Sequence, residues 1–211
     1  MDKLFQGVVQ FKKEDFEKHR ELFCSLGRRQ KPHTLFIGCS DSRVVPNLIT
    51  NCHPGELFVV RNVANIVPPF RATEEYVATT SAIEYAVQAL KVDTIVVCGH
   101  SNCGGCAALH SSPEALAHLP HVRKWLDVSK EVPGRVTRRL DEAGVTDSPE
   151  AREWLTEQIN ITVQMRNLLT YPYVRERYDR GELKIFGWHY IIETGEIFNY
   201  NSETSAFELV E

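Results

Sequence analysis

The run TIVVCGHSNCGG, residues 94–105, decides how this chain is read. Its first half is short, apolar and rich in β-branched residues, which suits a strand buried on both faces of a parallel sheet. Its second half turns through glycine and continues as CAAL, the opening of a helix. Two earlier runs share the character of the first half: TLFIG at 34–38 and LFVV at 57–60. Between LFVV and TIVVCG lies EEYVATTSAIEYAVQALKV, where Tyr76, Thr80, Ile83, Val87 and Leu90 fall on one helical face. Buried strands alternating with helices predict an α/β fold, a mostly parallel central sheet flanked by helices.

On the N-terminal side, Leu4, Val8, Phe16, Phe23 and Leu26 recur at roughly helical spacing through the charged segment KKEDFEKHRE, with Gly27 as a stop. Residues 1–28 therefore read as a helical arm, packed on the body or on a second subunit. On the C-terminal side, residues 111–150 read as helical pieces separated by turns, and a longer helix spans Ala151 to Leu169. LKIFGWHYIIETGEIFNY then reads as a C-terminal edge strand or hairpin around Glu193 to Glu196. No linker interrupts the chain, so residues 1–211 are expected to form one domain.

Composition narrows the function. Hydrophobic residues are 43% and charged residues 25% of 211, ordinary for a globular protein. A formal net charge of −4 gives no support for nucleic-acid or anionic-membrane partners. No apolar run approaches the roughly 20 residues that span a bilayer. The opening MDKLFQGVVQFKKEDF lacks the apolar core of a signal peptide, which places the expectation in the cytoplasm. Six cysteines, at 24, 39, 52, 98, 103 and 106, are too scattered for a small disulfide scaffold. In a reducing compartment they are buried thiols or metal ligands.

Two of the strand runs finish in possible ligands. TLFIG leads into Cys39, and TIVVCG leads into His100 and Cys103. Open α/β sheets place ligand sites at the carboxyl ends of strands, so these loops can meet. A Cys2His set leaves one tetrahedral position open, the catalytic pattern, and thiolate with imidazole favours Zn²⁺ over hard ions. Asp41 can bind the metal, orient its water, or pair with the planar fork of Arg43; the bland alternative is a pair that only stiffens the turn. Cys98 reads as a core thiol and Cys106 as lying one turn beyond the ligand set, while nothing links Cys24 or Cys52 to chemistry. His110, His118 and His121 read as solvated, and His53 or His189 as possible proton carriers.

CSDSR at 39–43, RNVAN at 61–65, AIEYAV at 82–87 and GHSNCGG at 99–105, followed by NLLTYPYVRE at 167–176, resemble the β-class carbonic anhydrases in content and order, from Gln30 to about Tyr190. The resemblance implies one Zn²⁺ per subunit on Cys39, His100 and Cys103, with Asp41 and Arg43 as the catalytic dyad. It assigns Gln30, Phe58, Val63 and Tyr85 to a substrate pocket that often crosses a subunit boundary, and turns the Gly104 N–H toward a bound anion. The implied activity is reversible hydration of the small molecule CO2 to bicarbonate and a proton by zinc-bound hydroxide, zinc lowering the pKa of water to about 7. Carbonyl sulfide or carbon disulfide hydrolysis on the same fold is the alternative, and a non-catalytic zinc scaffold a third reading. Dimers or assemblies of dimers are implied. Asp41 is expected on Arg43 at neutral pH rather than on the metal. One subgroup of the family binds an inhibitory bicarbonate at positions matching Phe36, Arg61 and Tyr190; Phe36 lacks the indole N–H that would hold it, so that site is expected to be absent.

Overall fold

A computed structural model describes residues 2–71 and 77–211. The three apolar runs form β1 (Thr34–Cys39), β2 (Leu57–Asn62) and β3 (Thr94–His100), with β1 between the other two and parallel to both. β4 (Lys184–Tyr190) pairs in parallel with β3, and β5 (Ile197–Asn201) and β6 (Ala206–Leu209) continue the sheet antiparallel. The sheet is therefore mixed, six strands in the order β2-β1-β3-β4-β5-β6.

Burial follows position in the sheet. β1 is buried at every residue and β3 at all but the first, both being interior strands with a neighbour on each side. β2 departs from the expectation of full burial: only Val60 is buried and Val59 is 37% exposed. The physical reason is its place at the edge, with a neighbour on one side only. The C-terminal hairpin around Glu193 to Glu196 is present, with one strand beyond it. β4 and β5 pair as that hairpin, but β4 is an interior strand and the edge is β6, AFEL, whose four residues are too few to announce a strand.

The N-terminal arm is helical but broken, into α1 (Lys3–Lys13), α2 (Asp15–Lys18) and α3 (Arg20–Leu26), and none of its described residues is buried. Phe11, Phe16 and Phe23 hold it together, with Phe16 and Phe23 stacked at 5.4 Å. α4 (Pro46–Ile49) precedes β2, and α5 (Val77–Glu84) runs into a π-turn at Tyr85–Ala89 before β3. Tyr76, read as part of the same helical face, lies outside the described residues. After β3 come α6 (Gly104–Ala108), α7 (Pro120–Leu126), α8 (Val132–Ala143), α9 (Pro149–Leu168) and α10 (Pro172–Asp179).

The longest helix, α9, starts at a Ser148 cap whose side chain accepts the Ala151 N–H, with Pro149 in its first turn. It lies tight on the sheet because Gly99 and Gly187 leave room for Ile161; a Cβ at Gly99 would sit 2.8 Å from that side chain. Leu35, Ile37, Ile83, Val97, Ile161 and Leu168 belong to the main core, and Phe36, Val96 and Cys98 form a second cluster with Trp188. Among the described residues no helix is long and apolar enough to cross a membrane.

Candidate active site

Register brings the chemistry to one end of the sheet. Cys39 ends β1 opposite Asn62, and His100 ends β3 opposite Tyr190. Cys103 stands just before α6 as its cap residue. The ligand atoms of Cys39, His100 and Cys103 lie within 4.8 Å of one another, and all three residues are buried. The two sulfurs are 4.0 Å apart.

This cluster has the donors and the geometry to hold a metal. His100 Nδ1 lies 2.9 Å from the Ser101 carbonyl, which can only accept, so Nδ1 carries the proton and Nε2 presents its lone pair. That Nε2 is fully buried and has no hydrogen-bond partner among the described residues. Burial opposes a charge on the ring, but the Cys39 sulfur and the Ser101 carbonyl outweigh it and raise its pKa. The Cys39 thiol is pushed up to about 12, first by its hydrogen bond with Cys103 and then by burial. Cys103 is also pushed up to about 12, first by its contact with Cys106. Two adjacent buried thiols resist ionising alone, and a bound cation is what would release their protons.

Asp41 faces the cluster, with Oδ2 3.9 Å from His100 Nε2. Arg43 grips it with a two-pronged contact, Nε to Oδ1 at 2.9 Å and Nη2 to Oδ2 at 2.8 Å, while the Arg43 backbone N–H adds a third bond to Oδ1 at 3.0 Å. The Arg43 fork is the main cause holding the carboxyl well below the usual carboxylate range. Arg43 Nη2 also donates to the Asn102 carbonyl at 3.0 Å, tying the β1 loop to the β3 loop.

Several residues support the site in ways that side-chain spacing did not reveal. Arg61 donates from Nε to the Cys39 carbonyl at 2.9 Å and from Nη2 to the Asp41 carbonyl at 2.5 Å, holding the CSD backbone from β2. Glu157, from the middle of α9, accepts the Cys103 backbone N–H at 3.0 Å and meets His189 Nε2 at 2.9 Å. Ser101 and Asn102 donate side-chain hydrogen bonds to Glu193 at 2.9 and 2.6 Å. His189 is thus wholly buried against Glu157 rather than facing solvent. His110 is another departure: it is half-buried and bonds Thr156 Oγ1 at 2.8 Å instead of being solvated. Cys106 is buried and outside the ligand cluster, and Cys98 is a core thiol.

The RNVAN segment forms the wall beside the cluster. Ala64 and Asn65 take left-handed φ values of 61° and 46°, a strained backbone held by Asn160 on the Ala64 carbonyl and Trp125 on the Val63 carbonyl. Gly105 is required here, because a Cβ would lie 2.9 Å from both Val63 Cγ1 and Ala64 Cβ. A cleft of about 580 Å³ opens alongside, lined in part by Ser40, Asn62, Val63 and Trp125.

The expected pocket residues divide into two groups. Val63 borders this cleft, and Gly104 opens α6 with nothing within 4 Å of where a Cβ would stand. Phe58 instead packs on Tyr85, ring centroids 5.8 Å apart, in register with Leu35. That is four residues before the Cys39–Asn62 pair, roughly 13 Å along the strand. Gln30 is exposed ahead of β1. A single chain does not gather all five around the cluster. At the positions of the subgroup's anion site, Phe36 is fully buried against Trp188 and the Arg61 guanidinium bonds two backbone carbonyls.

A sequence model of the family described as carbonic anhydrase matches residues 34–197. A carbonic anhydrase of Helicobacter pylori is 43% identical over 209 residues, covering 98% of this chain and 93% of the relative. One from Synechococcus elongatus is 40% identical and covers 97% of this chain and 73% of its own. The solved β-carbonic anhydrase CcaA superposes with a TM-score of 0.91 at 39% identity over 98% of both chains. A structure from a study of two tetrameric β-carbonic anhydrases of Sordaria macrospora gives 0.80 at 33% identity, over 93% of this chain and 94% of that one. Sequence, fold and the placement of the Cys39, His100 and Cys103 cluster agree: the chain belongs to the carbonic anhydrase family, in its β class, and is an enzyme of that kind.

Proposed function

We propose that this enzyme hydrates CO2 reversibly at a zinc site formed by Cys39, His100 and Cys103, with Asp41 directing the attacking oxygen. The observation that carries the reading is Asp41 itself, gripped by Arg43 while its Oδ2 stays 3.9 Å from the free lone pair of His100. When bound, zinc acidifies water so that hydroxide is available near neutral pH. The residues of the chain do the rest. Asp41 accepts a hydrogen bond from the attacking oxygen and turns a lone pair toward the carbon of CO2. Arg43 keeps Asp41 ionised and holds it away from the ligand cluster. CO2 and water become bicarbonate and a proton, so the site must pass one proton to solvent in each turnover. Val63 supplies an apolar surface for a neutral linear substrate, and the Gly104 N–H is a donor for the anionic product.

Gln30, Phe58 and Tyr85 are read as pocket residues of a neighbouring subunit's site, supported by their distance from the cluster in their own chain. A dimer, or an assembly of dimers, is further supported by the exposed edge of β2 and by the apolar arm residues Leu4, Phe5 and Val8, 79%, 67% and 65% exposed. The two Sordaria relatives are tetrameric by their description. Six free thiols suit the reducing cytoplasm. The names of the relatives favour CO2 over carbonyl sulfide or carbon disulfide.

Stopped-flow hydration on zinc-loaded protein tests the assignment. Cys39→Ser is expected to lose the zinc of this site, and Asp41→Ala to lose turnover with that zinc retained. Full activity in Asp41→Ala across pH would end the proposal. Turnover of CO2, carbonyl sulfide and carbon disulfide measured side by side decides the substrate.

A further inference from the structure

We infer that a second metal-binding site lies at the opposite end of the sheet, formed by His33, Cys52 and Glu56, and that it takes a borderline divalent ion such as Zn²⁺. Their ligand atoms lie within 4.8 Å of one another. They come from two segments: His33 immediately precedes β1, and Cys52 and Glu56 lie in the loop before β2. Because β1 and β2 run parallel, those two starts are neighbours, and the His33 N–H bonds the Glu56 carbonyl at 3.0 Å. Imidazole, thiolate and carboxylate are the donors zinc takes, and three of them leave a fourth position to water.

The groups around the ligands fix their orientation, as the outer shell of a metal site does. His33 Nδ1 shares a hydrogen bond of 2.7 Å with Thr34 Oγ1, leaving Nε2 for the cluster. Glu56 Oε2 accepts the His53 backbone N–H, leaving Oε1. Asn47 Nδ2 donates to the Cys52 and His53 carbonyls at 3.2 and 3.3 Å, so the loop that carries the thiol is itself held. His33 Nε2 and Glu56 Oε1 stand 3.8 Å apart. That is too long for a hydrogen bond and close to the ~3.4 Å that two ~2.1 Å bonds to one ion would span.

The location suggests what the ion would do. Leu26 of α3 packs onto Gly55, where a Cβ would stand 2.7 Å from Leu26 Cδ2 and where φ is +93°. The His19 ring of the arm lies 5.8 Å from that of His53. An ion shared by His33 and the 52–56 loop would therefore lock the surface on which the N-terminal arm rests.

The test is zinc stoichiometry by elemental analysis on the full chain, equilibrated by dialysis against micromolar zinc. Two ions per chain are expected in the wild type, and one each in Cys52→Ser, His33→Ala and Cys39→Ser. Glu56→Gln, which preserves the size of the side chain, is expected to weaken the second ion at least tenfold and leave the first in place. Circular dichroism checks that each variant is folded. One ion per chain in the wild type, a second held only at millimolar zinc, a second that survives both Cys52→Ser and His33→Ala, or loss of both ions in Cys39→Ser would each overturn the inference.

Discussion

Glu157 accepts the backbone N–H of Cys103 on one oxygen and meets His189 on the other, at 3.0 and 2.9 Å, and both side chains are buried. A helix that packs across the sheet thereby fixes the backbone of a candidate metal ligand. Removing the carboxylate in Glu157→Ala leaves the Cys103 N–H and His189 Nε2 unpaired in the interior, at about 1–3 kcal/mol per group. Zinc affinity is expected to fall about 10- to 100-fold, the usual effect of losing an outer-shell partner. Glu157→Gln keeps an acceptor for the Cys103 N–H and should recover most of that loss. Competition with a chromophoric chelator reads both.

The Arg43 grip on Asp41 depends on a flat fork, which lysine does not have. Arg43→Lys is expected to retain zinc and lower kcat/KM on the order of 10- to 100-fold, the worth of one charge-assisted hydrogen bond. Because the wild-type carboxyl is held well below the usual carboxylate range, its ion pair persists as pH falls through the ordinary carboxylate pKa. The acid limb of the wild-type activity profile should therefore not report Asp41. In Arg43→Lys the carboxyl pKa rises, and an acid limb from Asp41 should move up toward the measurable range.

What could be read from the sequence divides along physical lines. Buried parallel strands carry their own signature, so β1 and β3 were legible within a residue or so, and the candidate ligands at their carboxyl ends with them. Edge strands carry less: β2 was legible as a strand but not as half-exposed, and AFEL, only four residues long, gave no sign of β6. The ligand motifs were legible because they are contiguous. Glu157, more than fifty residues beyond Cys103, was not, and Arg61 stood in a quoted motif without its bonds to two carbonyls being readable, because partners distant in the chain leave no pattern in side-chain spacing. Cys52 was passed over for the same reason: its neighbours His33 and Glu56 meet it only once β1 and β2 pair.

Two adjacent glycines should respond oppositely to the same change. A Cβ at Gly105 would collide with Val63 and Ala64, the strained segment of the wall, whereas one at Gly104 meets nothing within 4 Å. Gly105→Ala is expected to cost about 1–3 kcal/mol, the range for overpacking. Gly104→Ala should stay within about 0.5 kcal/mol. Urea denaturation of zinc-loaded protein measures both.

The thiol pKa values set the sign of an alkaline effect in the metal-free protein. Cys39 and Cys103 keep their protons to about 12 in the folded chain, against an ordinary value of 9.0. Between those values the folded state binds more protons than the unfolded one, so stability falls as pH rises. A bound cation reverses the preference, since the ligands are then thiolates. Thermal melts of chelator-stripped protein should decline more steeply above pH 9 than those of stripped Cys39→Ser, and zinc should remove the difference.

The arm supplies the last expectation. Leu4 and Val8 are one helical turn apart on α1, and both are mostly exposed in the single chain. If they cover a second subunit, Leu4→Asp with Val8→Asp puts two charges into that contact. The dimer dissociation constant should then rise at least tenfold, as about 1.4 kcal/mol requires. Zinc content should not change, because Cys39, His100 and Cys103 come from one chain. Hydration should fall with the dimer fraction if Gln30, Phe58 and Tyr85 serve the neighbouring site. Sedimentation and stopped-flow on the same samples separate the two quantities, and a fully active monomer would exclude a shared pocket.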